Sequence, residues 1–160
     1  MKTFLTYILF FLLSSNISSA DLLKPNTKLK PIEVLKIQLN SLKNNHIPYK
    51  DAGIEQTWEF AHPNNKKFTG PLLNFKNMIY SKTYKILLNH ISHKIEILME
   101  ADTKHIFMVN ILTADKKNHY YEWQISKVED ESDFRDCWLT TAVSYPKLKE
   151  QGSITILDQI

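Results

Sequence analysis

The hydrophobic period of this chain changes partway along, from helical to extended, and that change limits the fold more than any short motif does. Through Ile79 the apolar side chains recur three and four apart, whereas from Ile95 onward they alternate. Helical spacing gathers apolar groups into a stripe on one side of a helix, and alternation gathers them on one face of a strand. Helices followed by an antiparallel meander form an α+β pattern, in which the helices cover the apolar face of the sheet.

Pro31 is expected to open the first helix, because its fixed φ and missing N–H suit the first helical position. Ile32, Leu35, Leu39 and Leu42 mark its apolar face, broadened by Val34, and Lys43-Asn44-Asn45 with Pro48 stop it. Asp51 is placed to cap a shorter second helix carrying Ile54, Trp58 and Ala61. His62-Pro63-Asn64-Asn65 is read as its end and Lys66 to Gly70 as a loop. Pro71 then starts a third helix with Leu72, Phe75, Met78 and Ile79 on one face.

In the second half Ile95, Ile97 and Met99 alternate with Lys94, Glu96 and Glu100, so one face of that strand is polar. Ala101-Asp102-Thr103 reads as a tight turn. His105 to Leu112 is apolar on both faces, as a central strand would be, and a turn from Ala114 to Asn118 leads into alternating Tyr121, Trp123 and Ile125. An acidic loop, Glu129 to Asp133, precedes a long strand from Phe134 to Val143, and Tyr84 to Leu88 reads as a short strand ahead of the sheet. Ile154 and Ile156 alternate in the tail, where an added edge strand would fit.

The N-terminus has the three parts of a secretory signal peptide: Lys2, an apolar run from Phe4 to Leu13 broken only by Thr6, and the small-residue exit Ser18-Ser19-Ala20. Cleavage is expected between Ala20 and Asp21. The rival reading, a membrane anchor, needs about 20 apolar residues, and Ser14-Ser15-Asn16 interrupts the run. No stable anchor is therefore expected after cleavage, and the mature chain is expected in a periplasm or outside the cell. Residues 21–30 read as a flexible leader, 31–146 as one domain and 147–160 as a tail.

Removal of residues 1–20 takes away Lys2 alone, leaving 19 basic against 17 acidic side chains. So even a balance argues against nucleic acid, which calls for a basic face. Arg135 is the sole arginine; with the many Asn, Ile and Lys it suggests an AT-rich bacterial source. Cys137 is the sole cysteine, so an internal disulfide is excluded and stability must come from the core. The three glycines stand at no phosphate-cradling spacing.

Four strings resemble a known family in their order and spacing. They are Gln38-Leu39-Asn40-Ser41-Leu42; Gly53-Ile54 with Trp58-Glu59-Phe60-Ala61-His62-Pro63; Thr69-Gly70-Pro71 with Phe75 and Met78; and Cys137-Trp138-Leu139-Thr140. Over residues 31–145 the chain resembles domain of unknown function 4864, within the nuclear-transport-factor-2-like (cystatin-like) superfamily. The resemblance implies a cone of helices and curved sheet around a pocket. It implies no reaction, since one fold hosts enzymes, binders and assembly modules.

The candidate pocket residues are Trp58, His62, Phe75, Tyr84, Tyr121, Trp123, Asp136 and Trp138. The aromatic residues, with Phe60, either line a site for a flat apolar ligand or form the core of a small domain. His62, at a helix end, is either a general base or a cap for carbonyls. His90, His93, His105 and His119 lack zinc-site spacing and are expected in solvent. Cys137, within the last strand, is read as a small buried hydrophobe rather than a nucleophile. Alternation sends Glu122 outward and Asp136 inward beside Phe134 and Trp138, where a lone carboxylate would have a raised pKa.

These residues lead to an exported, non-enzymatic domain that binds a small apolar ligand or a protein partner, without cofactor or metal. A homodimer through the sheet is the alternative use of its surface. The rival reading is a lyase or isomerase with Asp136 or His62 at the floor of an open pocket, and an immunity-type or assembly factor is a third.

Overall fold

The computed structural model describes residues 21–148. The segment expected to be a signal peptide, through Ala20, and Ile154 and Ile156 of the tail lie outside the described residues. Among the described residues no helix is long and apolar enough to cross a membrane.

Among the described residues four α-helices precede an antiparallel sheet, so the fold is α+β. Helix α1, Pro31–Lys43, has Pro31 at its first position, and Glu33 turns back to accept from the Lys30 N–H at 2.7 Å. That exchange satisfies one amide the helix cannot reach. Val34, Leu35, Leu39 and Leu42 are buried as their spacing requires, and Gln38 is buried with them.

Helix α2, Ala52–Glu59, crosses α1 so closely that a Cβ on Gly53 would lie 2.0 Å from the Ser41 carbonyl oxygen. Only glycine fits there. Asp51 does not cap α2 through its side chain, contrary to the sequence reading. Its backbone is left-handed (φ 67°), and its carboxylate accepts from Tyr80 Oη at 2.5 Å and Asn45 Nδ2 at 3.3 Å. Burial pushes that carboxyl's pKa up, but these two hydrogen bonds, with Lys76 and Lys50, hold it below the ordinary value. The carboxylate thus ties the α1–α2 turn to the end of α4.

Lys66 to Gly70 is not a loop. Residues Pro63–Thr69 form α3, with Pro63 at its first position and His62 as its N-cap, so the described residues hold four α-helices where three were expected. Helix α3 buries no residue, which is why apolar periodicity could not show it. Helix α4, Leu72–Ile79, follows as expected and turns Phe75 and Ile79 inward. The short strand expected at Tyr84 to Leu88 is a single 3-10 turn, Lys85–Leu87.

Strands β1 (Ser92–Ala101), β2 (Lys104–Leu112), β3 (Asn118–Lys127) and β4 (Trp138–Val143) lie in chain order, each antiparallel to the next. The helix-covered face carries buried Phe107, Val109 and Ile111 from β2 and Tyr121, Trp123 and Ile125 from β3. These pack with the α1 stripe, Ile54, Phe60, Phe75, Ile79 and Leu87 into one core. Strand β4 is shorter than expected, because Phe134 to Asp136 belong to a turn whose Asp136 has φ 63°. Cys137 therefore precedes the strand, though it is buried as read.

Strand β5, Lys147–Leu148, pairs with β3 at His119 and Tyr120, beside the stretch that β4 occupies. Residues 21–30 form no helix or strand, but their start is held: Leu23 exchanges two 2.8 Å hydrogen bonds with the Gln56 side chain. Lys24 adds an ion pair to Glu59 at 2.8 Å.

Candidate functional site

The segment between α2 and α3 closes the site by pairing with β4. His62 N–H donates to the Thr140 carbonyl at 2.8 Å and Thr140 N–H donates to the Phe60 carbonyl at 2.9 Å. This fixes Thr140 opposite Gln38 of α1 and beneath Trp123 of β3. A cavity of about 110 Å³ lies above them. Its wall combines buried Leu42, Ala61, Phe75, Ile79 and Leu87 with half-buried Asn65, Thr69, Met78, Tyr84 and Val143, which form the rim.

The polar groups of the floor form one relay. Trp123 Nε1 donates to Thr140 Oγ1 at 3.0 Å, Thr140 Oγ1 donates to Gln38 Oε1 at 2.6 Å, and Gln38 Nε2 donates to the Thr57 carbonyl at 3.1 Å. Each member satisfies a neighbour, as buried polar groups must. None of the four titrates near neutral pH. Tyr84, on the rim, donates its hydroxyl to the Val143 carbonyl at 3.2 Å, and burial, then Tyr145, raises its pKa.

Three of the eight pocket candidates line this cavity: Phe75, Tyr84 and Trp123. Tyr121 is buried behind it with its hydroxyl on the Thr83 carbonyl at 3.1 Å. Trp58 packs on Phe75 and under the Lys66 ammonium, 5.3 Å from its ring. Trp138 stands edge-on to His105, 5.0 Å between ring centres. Asp136 is exposed in its turn, so the expectation that it points inward fails: alternation presumed a strand where the chain turns. Glu122 does face away from the helices, paired with Lys147 at 2.9 Å.

His62 is buried but does not line the cavity. Its Nδ1 accepts from the Asn64 N–H at 3.1 Å, so it caps amides rather than carbonyls. Burial lowers its pKa, aided by Lys67 and opposed by Asp130. The histidines expected in solvent are not all there. His90 is buried, and His93, His105 and His119 are half-buried. His90 Nδ1–H must donate to the Leu87 carbonyl at 2.8 Å, which leaves Nε2 to accept from His93 Nδ1–H at 2.8 Å. Burial lowers both pKa values, with Lys43 contributing. Among the described residues no three metal-binding side chains converge.

Gln38, Thr57 and Thr140 are the site residues that pocket reasoning missed. One signal was available: Gln38 falls on the apolar stripe between Leu35 and Leu42, three residues after the first and four before the second. A polar side chain there must find a partner inside. With this geometry defined, comparison with protein-family models, curated proteins and solved structures finds no match for the chain.

Proposed function

We propose that this is an exported, non-enzymatic binding domain of nuclear-transport-factor-2-like kind, whose cavity takes one small apolar molecule. The observation that carries the reading is a largely apolar cavity whose floor holds only neutral, mutually hydrogen-bonded groups. Such a floor can orient a ligand but offers no acid or base for chemistry. Asp136 and His62, on which a lyase or isomerase rests, both lie outside the cavity lining.

Size limits the ligand. At about 110 Å³ the cavity is smaller than the roughly 150 Å³ apolar cavity that accepts benzene, and well below the roughly 300 Å³ of ordinary ligand pockets. A short alkyl chain matches it as it stands, and a single small ring does so once Met78 on the rim repacks to make room.

A second reading, a protein partner or second copy, is favoured by β1, which leaves Ile97, Leu98 and Met99 exposed in one run. Thermal melts with benzene and short-chain alcohols separate the two. Bound ligand raises Tm by mass action, and Ala61→Leu, which fills the cavity, should abolish the rise. No rise with any probe in the parent chain rejects the cavity as a binding site, and a dimer in sedimentation would move the function to the sheet.

A further inference from the structure

The chain is nearly balanced in charge, but not along its length. Between Glu59 and Glu96 stand Lys66, Lys67, Lys76, Lys82, Lys85 and Lys94, with no acidic residue. This stretch forms α3, α4, the 3-10 turn and the start of β1, and it supplies the rim residues Asn65, Thr69, Met78 and Tyr84. Two of its lysines are engaged: Lys76 pairs with Glu55 at 2.8 Å, and Lys66 lies against Trp58 and Phe134. Lys67, Lys82 and Lys85 are exposed, and among the described residues none has a carboxylate within ion-pair distance.

The same region shows apolar side chains to solvent. Phe68 is 89% exposed, on a helix that buries nothing, and Leu73 is 66% exposed on α4. Tyr145, 74% exposed, stacks on the rim residue Tyr84 with 6.3 Å between ring centres. Protruding aromatic and aliphatic groups among unpaired lysines match a surface of apolar boundary beneath phosphate headgroups. The lysines alone would suit an acidic protein equally well. The isolated protrusion of Phe68 and Leu73, on separate helices, favours insertion into a yielding layer over contact with a fixed surface.

We propose that the exposed surface of α3, α4 and the 3-10 turn docks on an anionic lipid bilayer. Phe68 and Leu73 enter the headgroup boundary, and Lys67, Lys82 and Lys85 face phosphates. This inference rests on charge and exposure, and stands whether or not the cavity holds a ligand.

The test is co-sedimentation of the full chain with phosphatidylglycerol-containing and pure phosphatidylcholine vesicles. The apolar run from Phe4 to Leu13 is common to every arm, so the readout is the ratio between lipids and between variants. Anionic vesicles should bind at least about tenfold better at low salt, and the preference should vanish near 0.5 M salt, where screening extends over only a few ångströms. Lys67→Glu/Lys82→Glu/Lys85→Glu should lose at least about tenfold, and Phe68→Ser about fivefold. All four side chains are exposed, so circular dichroism should show unchanged folding; if the triple variant fails that check, Lys67→Glu with a salt titration decides. Equal binding to both lipids, or charge reversal without effect, overturns the proposal. So does binding to soluble polyglutamate combined with an unaltered Phe68→Ser, which would assign the surface to an acidic protein.

Discussion

Replacing Thr140 by valine would keep the bulk of the cavity floor and delete one hydroxyl. That hydroxyl both accepts and donates, so its removal leaves Trp123 Nε1 and Gln38 Oε1 without partners in a buried place. A typical hydrogen bond contributes about 1 kcal/mol net, but a buried group left unpaired costs roughly 1–3 kcal/mol. Two such groups put the expected loss near 3 kcal/mol, and Tm should fall by about 10 °C for a domain of this size. Urea unfolding followed by circular dichroism measures it, with an unchanged m-value showing that the loss lies in stability and not in compactness. Adding Gln38→Leu should cost less than the two single changes summed, because it removes one orphaned group with its partner. A loss under about 1 kcal/mol, or strict additivity, would refute the relay and show that water in the cavity supplies the missing partners.

Gly53→Ala should destabilise by about 3 kcal/mol or more in the same assay, since its methyl would meet Ser41 backbone that cannot move aside; a loss below about 1 kcal/mol would show that α1 and α2 are not so closely crossed. His62, His90 and His93 all have pKa values held below the ordinary 6.5 in the folded chain. The unfolded chain therefore binds more protons in mildly acid solution, and their contribution, intact above pH 6.5, is lost as pH falls from about 6.5 through the lowered folded values. Tm should drop between pH 7.5 and pH 5, and His62→Asn, which caps equally well without titrating, should make that drop smaller; an unchanged slope would contradict the assignment. Burial, then Asp136, raises the Cys137 thiol pKa, so native protein should react with a thiol reagent only slowly and denatured protein at once. Rapid labelling of the native chain would place Cys137 outside the core.

What could be read from the residues follows from how locally each element is specified. Helix α1 was legible because Pro31 and the Leu35–Leu39–Leu42 stripe both act within one segment. Helix α3 was not, because Asn64-Asn65-Lys66-Lys67 has no buried face; its signal was Pro63 at the first position behind a capping histidine. Alternation located Trp123 and Tyr121 on the covered face and sent Glu122 outward. It misplaced Asp136, since nothing in the alternating pattern marks where a left-handed residue ends the turn before β4. The cavity floor was legible only in part. Gln38 stands out on its apolar stripe, but its partner Thr140 lies 102 residues away, a distance at which no spacing rule applies.

The most direct test of the central claim, a cavity that accepts one small apolar molecule, is the indole N–H resonance of Trp123 during titration with benzene. That N–H lies on the cavity floor, held by Thr140. Saturable shifts of Trp123, together with Ala61, Thr140 and Leu87, are the expected result. Saturating benzene that leaves these signals in place, or that moves only Ile97 to Met99 on β1, would contradict the account.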